Sequence, residues 1–565
     1  MTTDDLSYVR ILDAQLDVNS SRQKTYGILA GAPYQTGRIL PSTSFSNSQI
    51  TWNAPPPSRE IYTNRRFLAR VKFRIDFTGD SGNPLIPLLQ MFGAAAAPGV
   101  PTGNAYYDAP RAMPLSQAIQ TVNVTIGNQS FSSNLNVYSR IFQRFHRDEF
   151  KEDGPFSMTP SMPDQSQAYS QMNGFNRDPL AGYGDNVTQC PRGTFAGLII
   201  TANSQFAASI EMTITEAIPL SPLSFDAYQE ELAFIGVDSM QIQLQLGGRG
   251  SGLLTGLAQS LWSHSTLGSP LTTAQATVLQ ADLLFNYLTP SALQYLPDLV
   301  TYSYSEITNY PTLSQAPLAP GASTVLAMSS ITLPTLPNLL YIMASPQESQ
   351  TNITDTDTFM AIDNINLTFA NQDGILSNYS PERLYDMSVK NGFNCSYTQA
   401  RQFVGLVACA AFGTDIPLKD QWAPGVRTSQ TLQMNVTVRN IHPTKTFIPQ
   451  LNIVSVQEGI VTINNGSVSK NIGVLDEKQV LQSWETTPLP QKRSMNIFGS
   501  SLAGGGFWDD VGTFFKRLVR PAITVAQKVI PQQFQPLVQG VSDVAASYGV
   551  GLRDLGKRRG QGLLM

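Results

Sequence analysis

Apolar and polar residues alternate with a period of two through long stretches of this chain. Phe67, Ala69, Val71, Phe73, Ile75 and Phe77 interleave with Leu68, Arg70, Lys72, Arg74, Asp76 and Thr78. Successive side chains of a strand point to opposite faces, so this run predicts a strand with one face in a core and the other in solvent. Ala208, Ile210, Met212 and Ile214 alternate with Ser209, Glu211, Thr213 and Thr215, and Met240, Ile242, Leu244 and Leu246 alternate with glutamines. The rhythm returns in Ile365, Leu367 and Phe369, and again in Leu432, Met434, Val436 and Val438. The 37 prolines and 42 glycines punctuate these runs, so the pattern predicts antiparallel strands joined by turns and stacked as sandwiches. The glycine-rich run Gly247 to Gly252 follows a strand and cannot continue it. It divides the chain into an N-terminal arm (1–30), a first β-rich unit (31–250), a second (251–490) and a tail (491–565). A short helix is expected over Pro381 to Lys390, and the long loop at about 147–195 is expected to be functional or interface-forming.

The tail follows a different period. After Leu502, Ala503, Gly504, Gly505 and Gly506, the residues Phe507, Trp508, Val511, Phe514, Phe515, Leu518 and Val519 share one arc of a helix. Asp509 and Asp510 fall in its first turn, Lys516, Arg517 and Arg520 in its last, and Pro521 ends it, an order that suits the helix dipole. Such a helix lies on its own domain, on a lipid surface or in a protein groove.

Charge changes this picture in two ways. Only 14% of the 565 residues are charged, against about a quarter in ordinary soluble proteins. A surface of Ser, Thr, Asn and Gln can be buried against copies of itself without desolvating many ions, which inclines the chain toward assembly. The net charge of −4 is also uneven: from Gln491 onward ten bases outnumber four acids, leaving −10 for the body. If any part contacts nucleic acid or anionic lipid it is the tail, including Lys557, Arg558 and Arg559. The N-terminus carries no signal-peptide pattern and no apolar stretch reaches membrane length, so a soluble protein of intracellular origin is expected.

No catalytic constellation emerges. His146, His264 and His442 are far apart, and Cys190, Cys395 and Cys409 form no paired spacing, so neither a metal site nor a disulfide framework is expected. Phosphate-cradling, dinucleotide, HExxH and GxSxG motifs are absent. Asp355-Thr356-Asp357 begins like a calcium loop but lacks its glycine and closing glutamate. The expectation is a protein without enzymatic activity, metal or cofactor.

The order of short motifs carries a family resemblance. Ile39 to Ile50, then Pro55-Pro56-Pro57-Ser58 and Asn64-Arg65-Arg66, resemble the N-terminal signature of double jelly-roll major capsid proteins from polinton-like viruses, adintoviruses and virophages. Asn371-Gln372, Leu376 to Ser380, Leu384-Tyr385, Asn391-Gly392, Asp415 to Leu418, Pro424-Gly425 and Leu432 to Val438 follow in the order those proteins show in their second jelly roll. The resemblance covers most of residues 20–485. It implies an all-β fold of two consecutive antiparallel eight-stranded jelly rolls with a short amphipathic helical tail. It further implies a homotrimeric, pseudo-hexagonal capsomer tiling an icosahedral shell around double-stranded DNA, with penton and minor capsid proteins as partners. Assembly would take place in the host cytoplasm or nucleus, and the product would be a virion.

Leu502, Ala503, Gly504, Gly505 and Gly506 resemble the cleavage site of adenovirus-type maturation proteases, with release after Gly505. The freed tail would resemble membrane-active minor capsid proteins, and a plain flexible linker is the alternative. Two other readings of the whole chain compete. One is a single-jelly-roll RNA-virus coat protein with a projecting domain and a lytic C-terminal peptide, which would carry a basic N-terminal arm that residues 1–25 lack. The other is a non-viral β-sandwich binding or pore-forming protein.

Overall fold

A computed structural model describes most residues between 37 and 473, apart from 80–108, 146–198, 221–232, 249–255, 264–270, 290–298, 354–359 and shorter gaps. The first unit begins with β1 (Gly37–Pro41), β2 (Ser44–Phe45), β3 (Gln49–Asn53), β4 (Tyr62–Asn64), β5 (Leu68–Gly79) and β6 (Ala109–Pro110). Next come β7 (Ile119–Ile126), β8 (Gln129–Asn134), β9 (Ile199–Ser204), β10 (Ala207–Ala217), β11 (Ala233–Phe234), β12 (Met240–Leu246), β13 (Trp262–Ser263) and β14 (Leu271–Leu288). Its short helices are α1 (Pro114–Ala118), α2 (Leu135–Phe145) and α3 (Leu257–Leu261). One sheet runs β2-β3-β12-β7-β8 and faces another ordered β11-β4-β14-β5-β10-β9, with β1 added on β14. All ladders are antiparallel. The alternation read from the sequence sets which side faces inward: Ala69, Val71, Phe73, Ile75 and Phe77 of β5 are buried, and Arg70, Lys72, Arg74 and Asp76 point outward.

The second unit holds β15 (Leu299–Leu313), β16 (Ser323–Thr332), β17 (Leu339–Pro346), β18 (Ala361–Phe369) and β19 (Gln372–Ile375). It continues through α4 (Pro381–Lys390), α5 (Tyr397–Gln402), β20 (Val407–Ala411), β21 (Thr431–Arg439), β22 (Pro449–Asn464) and β23 (Ser467–Ile472). Its sheets run β15-β22-β17-β20 and β16-β21-β18-β19, with β23 added on β22. Eight strands thus shuttle between two four-stranded layers, with one hairpin, β18–β19, inside a layer. This is a jelly roll, and with the first unit it makes a double jelly roll. The hairpin turns through Ala370 and Asn371, both left-handed (φ 53° and 64°), the conformation a tight two-residue hairpin requires.

One expectation needs adjustment and another holds. The glycine-rich run at Gly247 does not separate the halves, because the chain returns after it to build β14, which pairs with β5 from Leu271 to Leu284. The second roll therefore starts with β15 at Leu299. Glycine after a strand marks where that strand stops and carries no information about which sheet the next strand joins. The helix at Pro381–Lys390 forms as expected: Pro381 occupies its first turn, Ser380 accepts from the Arg383 N–H, and Lys390 pairs with Asp386 at 2.9 Å.

Candidate assembly surfaces

The first surface to consider is the one already used, between the two rolls. The β7–β8 turn of the first roll meets the β22–β23 turn of the second. Val468 N–H donates to Asn128 Oδ1 at 2.7 Å, and a side chain added at Gly127 would stand 2.7 Å from the Gly466 carbonyl oxygen. Gly127 also has φ +59°, so glycine is required twice over. Beside it, Phe131 packs on Tyr304 with ring centroids 5.4 Å apart, and Phe145 of α2 packs edge-on against Tyr341 at 4.8 Å and against Phe393 at 5.4 Å. Aromatic pairs at these separations add to their area burial. Tyr304 also donates to Glu306, which Lys470 reaches at 3.0 Å while lying over the Tyr304 ring. Burial and the neighbouring carboxylate push the Tyr304 phenol above its usual range. Apolar contacts run through this seam as one continuous core.

Because the first roll, α2 and α4 cover the outer face of the β15-β22-β17-β20 sheet, that sheet is buried on both sides. Every residue of β17 from Leu340 to Ser345 and of β20 from Val407 to Ala410 is buried. Ser388 of α4 donates to Leu384 O and accepts from the Cys409 N–H, while Asn391 donates to Cys409 O and Asp415. Burial pushes the Cys409 thiol well above its ordinary pKa, which leaves it an unreactive core residue.

The outward surfaces differ between the rolls. On the first roll the β14-β5-β10 face carries paired charges, Arg70–Asp282 at 3.2 Å, Lys72–Glu211 at 2.7 Å and Arg74–Asp76 at 2.9 Å. Half-exposed pairs of this kind contribute little to stability. The strand edges, by contrast, carry almost no charge. From Gly37 to Asn53 the sequence has one charged residue, Arg38, and β16 has none. Along Leu271–Gln280, β14 has no strand partner on its outer edge among the described residues. The same edges hold exposed apolar side chains: Ile39, Phe45 and Leu279 on the first roll, Leu313 and Val325 on the second. Uncharged edges studded with apolar residues are suited to burial against another molecule.

Glu216, at the end of β10, is the one fully buried acid with a strongly shifted pKa among the described residues. Its carboxyl accepts from the Leu115 and Ser116 N–H groups at 3.0 and 2.7 Å and from the Ser116 hydroxyl, tying the sheet to α1. Burial outweighs these bonds and raises its pKa to about 7. Nothing in the sequence marked it.

The sequence-predicted sites are placed as follows. The candidate cleavage segment Leu502–Gly506, the amphipathic residues Phe507 to Val519 and the basic Lys557, Arg558 and Arg559 lie outside the described residues, as do His146, His264, Cys190 and Cys395. His442 sits in a turn where its Nδ1 accepts from the Lys445 N–H at 2.9 Å. Among the described residues no three His, Cys, Asp or Glu side chains are grouped to hold a metal. No described helix is long and apolar enough to cross a membrane.

Comparison with known proteins gives concordant matches. The family model of the Sputnik virophage major capsid protein first domain matches residues 4–288, and that of the major capsid protein V20 C-terminal domain matches 307–459. The first match ends with β14 and the second begins within β15. Capsid protein V20 of Sputnik virophage is 28% identical over 530 residues, covering 88% of this chain and 85% of the relative. The cryo-EM structure of the Sputnik virophage superposes with a TM-score of 0.69 at 26% identity, covering 87% of this chain and 95% of that one. The mavirus major capsid protein crystal structure, at 15% identity and a TM-score of 0.62, covers 83% of this chain and 96% of that chain and shares the fold.

Proposed function

We propose that this chain, which belongs to the Sputnik virophage major capsid protein family, builds the shell of a virion by associating in threes. The observation that carries this is the seam between the rolls: one chain presents two jelly rolls fused through a continuous apolar core. Three such rigid pairs supply six similar blocks, which is what a pseudo-hexagonal tile of an icosahedral shell needs. The uncharged strand edges supply contacts that cost little desolvation when copies meet.

The protein's role is structural and not enzymatic. The rival readings have less support: a single-roll coat protein has one jelly roll, and a pore-forming sandwich has no need of the second. The basic tail, 491–565, faces the shell interior, where it meets genomic DNA or a membrane. A maturation protease cleaves after Gly505 and frees the amphipathic segment. This part rests on the charge asymmetry and residue pattern of the sequence.

Sedimentation of the purified chain tests the capsomer. The expected species has about three times the 61.6 kDa of one chain and persists from low to high salt, because its contacts are apolar and uncharged. A monomer at micromolar concentration in both conditions would remove the capsomer reading.

A further inference from the structure

Among the described residues the exposed large apolar side chains, Val389 of α4 apart, gather into two patches. Ile39, Phe45 and Leu279 make the first. Asn47, in the β2–β3 turn, accepts from the Val278 N–H at 2.9 Å, which brings the corner carrying Phe45 against β14 beside Leu279. Ile39 lies on the same edge, opposite Leu284 of β14. Leu313 and Val325 make the second patch: Leu313 ends β15 and Val325 lies near the start of β16, on either side of the loop 314–322.

Strand register puts each patch on the side of its roll away from the seam. In the β2-β3-β12-β7-β8 sheet the seam takes β8 and the β7–β8 turn, whereas Phe45 lies on β2, the opposite edge strand, where it pairs with Ile50. Four strand spacings of about 4.8 Å separate the two edges. The Gln49 end of β3 also aligns, through β12, with the Ile119 end of β7 and not with Ile126 at the seam. On the second roll Tyr304 stands at the seam, and Leu313 ends the same strand about 30 Å further on. Val325 points out of the β16-β21-β18-β19 layer, away from the core that Leu326 and Met328 fill. One chain therefore cannot cover either patch with the other.

We infer that the two patches are the two sides of one contact, in which the first-roll edge of one copy seats on the Leu313 and Val325 end of the second roll of the next. Charge content favours a second copy as the occupant. The stretch 37–53 holds one charged residue, Arg38, and 271–281 and 311–325 hold none. These surfaces strand almost no ion when they meet, whereas a charged partner would find its ions unanswered. Symmetry favours unlike patches meeting. A head-to-tail contact closes into a ring, while a patch that meets its own like joins copies in pairs, and pairs alone cannot make three. The inference rests on the three-copy capsomer proposed above and adds which surfaces meet in it.

Sedimentation of the full chain and four variants at the same micromolar concentration tests it. Phe45→Asp and Val325→Asp each place a charge in one patch, on side chains 47% and 60% exposed. Both should unfold at the temperature of the natural chain and sediment as monomers. Phe45→Leu, which stays apolar, and Val389→Asp, outside both patches, should remain at three copies. Phe45→Ser and Val325→Ser, which add no charge, replace any aspartate variant that unfolds early. Dimers from either patch variant would show each patch meeting its own like and would overturn the inference, and so would a three-copy species from either. If the natural chain is itself a monomer, the capsomer falls and the head-to-tail contact falls with it.

Discussion

Glu216 illustrates how one residue can set a pH dependence for the whole first roll. Its folded pKa of about 7 lies above the ordinary 4.5, so the folded chain holds a proton that the unfolded chain releases. Its stabilising contribution is complete below about pH 4.5 and is lost as pH rises through 7. A shift of this size corresponds to a loss on the order of 3 kcal/mol. Glu216→Gln cannot ionise, so thermal unfolding of this variant should change less between pH 5 and pH 8 than that of the natural chain. Parallel pH profiles for the two would show that the carboxyl is not the titrating group. The burial of Glu216 is not legible in the sequence. Glu216 occupies one of the polar places in an alternating strand, and only the approach of α1, about a hundred residues away, makes it a buried acid.

Among the elements, the half-exposed strands were the readable ones. In β5, β10, β12 and β21 one face meets a core and the other meets water, and that difference is written into the residues two by two. In β17 and β20 both faces are covered, so apolar residues follow one another and the period disappears. The placement of β14 was also hidden, since register in a sheet edge depends on partners far along the chain. The tail element is testable by itself. A peptide of residues 506–530 should make anionic liposomes leak, and Phe515→Asp, which puts a charge in the apolar arc, should abolish the leakage. Equal leakage from both peptides, or none from either, would favour docking on the shell interior.

For the whole molecule, a pseudo-hexagonal capsomer requires the two rolls to act as one rigid body. Gly127→Ala at the seam would place a side chain against the Gly466 carbonyl and force an unfavourable φ, a strain of about 1–3 kcal/mol. The variant should melt at a lower temperature and yield fewer assembled particles, a combination that a flexible hinge would not produce. The sparsely charged edges at β1, β2, β14 and β16 then become contacts between rigid blocks, and capsid geometry follows from how those blocks tile. Electron microscopy of the purified full chain shows directly whether three copies associate. Three-fold particles with a pseudo-hexagonal outline, alone or tiled into shells, are expected. Single two-lobed monomers, or rings of another symmetry, would contradict it.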